Sequence, residues 1–165
     1  MALAVSTKRL SSGIYIDLAS FSASDVNIKD ISRSLNYIYR FTGHWKDQEP
    51  LTVAQHTKLV AHLADMLFPG DPVLKLDCVC HDFAEAYLGD VSTPLKHLFG
   101  PAFKEFEHKI ENIVYDALWT PVTGIELTES IYQQRKVCDL LSLDIERRSI
   151  WKSQIGKDKW PNIPM

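Results

Sequence analysis

The sequence predicts an all-α fold: a compact helical bundle of five or more helices, in a single domain covering residues 1–165 with its core at about 27–151. Three observations predict it. Apolar residues recur at three- and four-residue steps over long stretches, the period of one helix face. Most stretches open on a capping residue or a proline and close on Gly or Pro, the punctuation of helix ends. Alternating patterning is confined to one short segment, and the links between stretches are short, so successive helices must pack on one another.

The elements follow in order. Residues 1–13 are small and polar and form an N-terminal arm ending at Ser11-Ser12-Gly13. Ile14-Tyr15-Ile16-Asp17-Leu18 alternates and reads as a short strand or extended arm. Ile28, Ile31, Leu35 and Ile38 share helical spacing, so a first helix runs from Ile28 to Tyr39, capped by Asn27 and ended by Thr42-Gly43. Residues 44–51 are a loop closed by Pro50. Thr52 caps a second helix that runs to about Phe68 and stops at Pro69-Gly70. A third helix starts at Pro72, a favoured first-turn residue, and continues to Leu88. It is apolar on nearly all sides around Leu74–Ala84, which predicts a central, buried helix. Gly89 ends it, and Asp90 to Pro94 is a loop. A fourth helix covers roughly 101–119 with Pro121 after it, and a fifth covers roughly 127–150. The tail from Gly156 is polar, with Trp160 as an anchor.

Composition excludes several function classes. The chain is 45% apolar and 24% charged, ordinary for a soluble globular protein. A net charge of −3 argues against a nucleic-acid binder, which carries a basic excess or stripe. A small anionic substrate stays open, because a bound metal would add positive charge that the count omits. Three cysteines (Cys78, Cys80 and Cys138) without regular spacing are no disulfide framework and read as small buried residues. Residues 1–10 lack the apolar run of a signal peptide, and no stretch approaches the ~20 apolar residues of a membrane span. The expectation is a reduced, cytoplasmic protein. No glycine-rich loop follows a strand, which argues against a dinucleotide fold.

The chemistry concentrates at His81-Asp82, with His56 upstream and Asp139 downstream. These four side chains can close around one divalent metal from three helices. Imidazole with carboxylate suits Zn, Mn, Fe, Co or Ni better than Ca. A carboxylate in an apolar helix is costly without a partner. Asp82 has no cation nearer in sequence than Lys75, and Asp139 sits beside Cys138 and Leu140-Leu141. The competing reading is a satisfied core histidine with both acids paired to Arg or Lys; it weakens because a second acidic pair stands alongside. Glu85 follows Asp82 by three residues and Asp90 lies just beyond Gly89. Acids beside a metal are candidates to orient or deprotonate water.

The ordered set resembles the HD-domain phosphohydrolases, and within them the YfbR-like 5'-deoxynucleotidase group and its short phage relatives. The resemblance covers roughly Ser12 to Trp151. It rests on Asp30-Ile31, Arg40-Phe41-Thr42-Gly43-His44, Val53-Ala54-Gln55-His56, His81-Asp82-Phe83-Ala84-Glu85-Ala86-Tyr87, Gly89-Asp90-Val91 with Thr93-Pro94-Leu95-Lys96, and Asp139 and Glu146. It implies a helical bundle with one metal (Zn, Co, Mn or Mg) held by His56, His81, Asp82 and Asp139. It implies that Glu85 and Asp90 stand beside the attacking water and that Arg40 and Phe41 line the substrate pocket. Where the group has a Trp that helps read the sugar, this chain has Phe41. It also implies homo-oligomers, from dimers to hexamers.

The expected activity is therefore attack at the 5'-phosphate of a deoxynucleotide, releasing a nucleoside. The substrate is either a dNMP, as for a 5'-nucleotidase, or a dNTP, as for the related dATP triphosphohydrolases of phages that use diaminopurine. Arg40 offers a planar fork for phosphate or sugar oxygens, and Lys96 is placed to meet outer phosphates. Phe41 can stack on sugar or base, with His44 and Trp45 weaker candidates for the same pocket. His62, His97 and His108 read as surface or packing residues. Two other functions compete: an HD-fold di-iron oxygenase, which needs more histidines than this set provides, and a nucleotide-binding protein without catalysis, against which intact Glu85 and Asp90 count.

Overall fold

The computed structural model describes residues 4–45 and 49–150. The expected Trp160 anchor therefore lies outside the described residues. The elements run β1 (Thr7–Arg9), β2 (Tyr15–Asp17), α1 (Ile28–Leu35), α2 (Val53–Leu67), α3 (Pro72–Cys80), α4 (Glu85–Leu88), α5 (Thr93–Phe99), α6 (Pro101–Thr123) and α7 (Glu129–Ile150). The architecture is the expected all-α bundle, with one small antiparallel hairpin in which Lys8 faces Ile16. Among the described residues no helix is long and apolar enough to cross a membrane.

Local sequence explains the helix starts. Asn27 accepts from the Lys29 N–H at 2.9 Å and opens α1. At α2, Thr52 and Gln55 form a reciprocal capping box that satisfies two otherwise orphaned N–H groups. Asp71 accepts from the Leu74 N–H at 2.9 Å ahead of Pro72 at the first turn of α3. Along α2 the buried residues Val53, His56, Thr57, Val60, Ala61, Leu63 and Ala64 follow helical spacing. That face packs chiefly against α3 and α7.

Two apolar clusters result. One gathers Ile16, Phe21, Ile31, Leu35, Val53, Ala84, Ala86, Tyr87, Ile110 and Val114. The other gathers Val60, Ala61, Leu63, Ala64, Leu74, Cys78 and Cys138. Full burial of each large apolar side chain contributes roughly 1.5–3 kcal/mol. Val53 belongs to the first and Val60 to the second, so α2 runs through both. His56 lies between them in sequence and is 1% exposed. A buried acid ties the second cluster together: Asp77 accepts from the Arg135 Nε at 2.8 Å and from the Tyr115 hydroxyl at 2.7 Å.

Four elements differ from expectation. The first helix stops at Leu35 rather than Tyr39. Backbone pairing takes over: Tyr39 bridges Thr52, the Arg40 N–H donates to the Leu51 carbonyl at 2.8 Å, and the Val53 N–H donates to the Ile38 carbonyl at 2.9 Å. The third helix breaks between Cys80 and Glu85. There the N–H groups of Phe83, Glu85, Ala86 and Tyr87 each donate to the carbonyl three residues back, as in tight 3₁₀-like turns. The expected loop at Asp90–Pro94 gives way to α5 at Thr93, since Pro94 is compatible with a first turn. Helix α6 runs past Pro121 to Thr123 and ends on left-handed Gly124. Pro121 removes one donor close to the helix end, and the Trp119 indole, donating to the Ile125 carbonyl at 2.6 Å, holds the last turn.

Candidate metal centre

Three elements bring the predicted ligands together. His56 comes from α2, His81 and Asp82 from the break between α3 and α4, and Asp139 from α7. One ligand atom each from His56, His81 and Asp82 lies within 4.8 Å of the others. The His56 Nε2 is 3.4 Å from Asp82 Oδ2 and 3.2 Å from Asp139 Oδ1. The His81 Nε2 is 3.2 Å from Asp82 Oδ1 and 3.9 Å from Asp139 Oδ1. Ligands bound at about 2.0–2.1 Å around a tetrahedral centre stand roughly 3.4 Å apart. Three of the four separations lie close to that spacing, so His56, His81 and Asp82, with Asp139 alongside, could hold a small divalent ion.

The outer contacts support the fit. His81 Nδ1 donates to the Cys78 carbonyl at 2.8 Å. Its Nε2 then presents a lone pair, and that atom is buried without a hydrogen-bond partner among the described residues. His56 Nδ1 donates to Glu146 Oε1 at 2.7 Å, with the Ser142 hydroxyl also 3.3 Å from it. A carboxylate behind a ligating imidazole fixes its tautomer and raises its basicity. Burial opposes charge on His56, but hydrogen bonds to Asp139 and Glu146 outweigh it and lift the pKa to about 9. Burial would raise Asp139, but His56 and His81 hold it at about 2. The field at the cluster centre therefore demands positive charge. A proton on His56 supplies one unit and a divalent cation supplies two.

The acids and the arginine surround this cluster. Glu85 Oε2 is buried without a hydrogen-bond partner among the described residues. Burial, with Asp82 and Asp90 nearby, pushes the Glu85 carboxyl well above its ordinary range. Burial likewise raises Asp90, partly offset by Arg40. Arg40 Nη1 stands 3.6 Å from Asp90 Oδ2, and its Nε and Nη2 each lie 3.4 Å from Glu146 Oε2. Lys96 Nζ is 2.6 Å from Glu107 Oε1, yet near enough to Glu85 and Asp90 to lower both. Its charge thus reaches the cluster while its ammonium is paired.

Phe41 and Thr42 adopt left-handed backbone, with φ of 53° and 52°. Bulky and β-branched residues rarely do so, at a cost of about 1–2 kcal/mol each. The turn seats the Phe41 ring against Trp45, with centroids 6.1 Å apart, and the Arg40 guanidinium 5.6 Å from the Phe41 ring. The Trp45 indole donates to the Arg40 carbonyl at 3.4 Å. His44, His62, His97 and His108 are exposed. Reading residues one at a time misses two roles, that of Glu146 as the carboxylate joining His56 to Arg40 and that of Asp77 as a structural acid. A buried-acid signal in α7 could have found Glu146, which falls seven residues after Asp139 and so on the same helix face.

No family model matches the chain. Over 139 residues it is 31% identical to the uncharacterized protein YfdR of Escherichia coli, covering 84% of this chain and 69% of that one. Over 144 residues it is 28% identical to an uncharacterized protein of Rhodobacter capsulatus, covering 87% of this chain and 72% of the other.

Proposed function

This chain belongs to the same family as YfdR of Escherichia coli, and we propose that it is a metal-dependent phosphohydrolase of the HD-domain type acting on deoxynucleotides. One observation carries the reading: ligand atoms of His56, His81 and Asp82 gather within 4.8 Å with Asp139 3.2 Å from His56, while the buried Glu85 carboxyl, with one oxygen lacking a hydrogen bond, and the Arg40 fork stand near the same cluster. His81 Nε2 and Glu85 Oε2 are buried without hydrogen bonds among the described residues, which supports a ligand at this cluster.

The residues divide the work. Arg40 binds a phosphoryl oxygen through its guanidinium fork, held in place by Glu146 behind it. Phe41 offers a ring face beside it for the sugar or base. Lys96 adds positive potential over the outer phosphates. Glu85 and Asp90 hold the attacking water, and the burial-raised Glu85 carboxyl can pass a proton to the departing 5' oxygen. A bound divalent metal supplies Lewis acidity, acidifying water and drawing charge from the phosphoryl oxygen. The products are a nucleoside with phosphate from a dNMP, or a nucleoside with triphosphate from a dNTP.

The test is incubation of protein loaded with Mn, Co, Zn or Mg with each dNMP and dNTP, followed by product identification. Nucleoside released with phosphate marks a 5'-nucleotidase, and with triphosphate a triphosphohydrolase. Absence of nucleoside under all four metals overturns the reading.

A further inference from the structure

A cavity of about 150 Å³ with charged residues in its walls lies between the β1–β2 hairpin, α1 and α4. It shares no lining residue with the metal cluster. Its walls include Lys8, Arg9, Asp30, Arg33 and Tyr37. Asp30 is 4% exposed. Its Oδ1 accepts from the Ser11 hydroxyl at 2.5 Å and from the Ser12 N–H at 2.7 Å. Its Oδ2 is buried and has no hydrogen-bond partner among the described residues. Burial works against its ionisation, but the Ser11 and Ser12 hydrogen bonds prevail and hold the carboxyl below its ordinary range. Asp30 is thus an acceptor with an unused oxygen.

The cations around it are equally underused. Lys8 Nζ donates to the Ala86 and Tyr87 carbonyls at 3.3 and 2.9 Å, which leaves one of its three N–H groups. Arg9 and Arg33 have no ion pair among the described residues, and their guanidiniums rest 5.7 and 5.9 Å from the Tyr15 and Tyr37 rings. Three cations against one carboxylate select an anion. The carboxylate, however, repels any oxygen that carries no hydrogen. A ligand that answers both demands offers negative oxygens to the arginines and one O–H to Asp30.

We propose that this cavity binds a phosphate group that retains one proton, with its P–O–H donated to Asp30 and its remaining oxygens facing Arg9, Arg33 and Lys8. At roughly 30 Å³ per water the volume equals about five waters, enough for one tetrahedral oxyanion and its residual hydration. The group is either inorganic monohydrogen phosphate or the end of a small phosphomonoester. The assignment is independent of the reaction proposed for the metal centre.

Calorimetric titration of the full metal-loaded chain at neutral pH tests it. Inorganic phosphate should bind saturably, and sulfate, which has no proton to donate, should bind at least about tenfold more weakly. Glycerol 3-phosphate in parallel separates the two sources, because a site closed over the free ion rejects it. Asp30→Asn keeps the acceptor for Ser11 and Ser12 but turns the other position into a donor. It should weaken phosphate by about tenfold and admit sulfate, a reversal that phosphate bound at the metal centre would not show. Arg33→Ala, at an exposed position, should weaken phosphate by about tenfold without admitting sulfate. Equal binding of phosphate and sulfate by the natural chain, preference for glycolate over phosphate, or phosphate affinity unmoved by both substitutions would overturn the proposal and leave the cavity to water.

Discussion

Glu146→Gln separates the two tasks that one buried carboxylate performs. Glu146 is 2% exposed. One oxygen accepts from His56 Nδ1 at 2.7 Å and the other faces Arg40 at 3.4 Å. Glutamine has nearly the same volume and can still offer a carbonyl oxygen to His56. It loses the charge, and it points an amide donor at the Arg40 guanidinium, itself a donor. Losing a carboxylate behind a ligating histidine costs about 10–100-fold in metal affinity. Breaking one side of a buried ion pair costs about 3–5 kcal/mol, and Asp90 at 3.6 Å from Arg40 keeps the loss near the lower figure. Competition of Zn or Mn between the protein and a chromophoric chelator measures the first effect. Urea unfolding of the metal-free protein measures the second. The expected outcome is a metal Kd raised by about 10–100-fold and a metal-free form less stable by about 3 kcal/mol. A Kd equal to that of the natural chain would refute the reasoning that Glu146 sets the donor strength of His56.

Metal itself should stabilise the fold, because its ligands come from three separate elements. At free metal of about 100 times Kd the gain is about 2.7 kcal/mol, read as a rise in Tm that a chelator reverses. A Tm indifferent to every divalent ion would contradict a metal centre. Arg135→Met should cost about 3–5 kcal/mol in urea unfolding by stranding Asp77, and a second change, Asp77→Leu, should recover most of it. A loss under about 1 kcal/mol would show that Tyr115 alone satisfies Asp77. Thr42→Gly relieves one left-handed residue and should raise Tm by about 1–2 °C, the glycine's greater unfolded freedom offsetting part of the relief. A fall in Tm would mean that the Thr42 side chain supports the turn.

Helix α2 was legible because its apolar period lies between a capping Thr52 and the stop at Pro69-Gly70, and α7 and the body of α6 fall where they were expected. The predicted meeting of His56, His81 and Asp82 is present, with Asp139 Oδ1 3.2 Å from His56 Nε2, since buried carboxylates in apolar stretches need partners wherever they lie. The break at His81 was not legible. Continuous apolar character from Leu74 to Ala84 reads as one buried helix, and only the placement of α4 against α1 and the hairpin reveals the tightened turns. Phe41 and Thr42 escaped for a related reason. No local propensity puts an aromatic and a β-branched residue in left-handed backbone; the surrounding bridge between Tyr39 and Thr52 does. Lys96 was foreseen as an anion contact, and its ammonium also pairs with Glu107, on the separate helix α6 and invisible to sequence spacing.

The interruption after Cys80 has an electrostatic consequence. A helix carries about half a negative charge at its C-terminal end, concentrated on its last carbonyls. Because α3 stops where it does, that end lies at His81 and Asp82, and the Cys78 carbonyl already engages the His81 ring. A helix continued to Leu88 would carry the same partial charge two turns past the ligands. A cation held by these ligands would lie beside the helix end, an attraction of about 0.3–1 kcal/mol per unit charge and up to ~2 kcal/mol when partly buried. The backbone of α3 would thus add to cation affinity without appearing in the count of charged residues, a contribution that no side-chain substitution would remove and that restoring the helix through residues 81–84 would abolish.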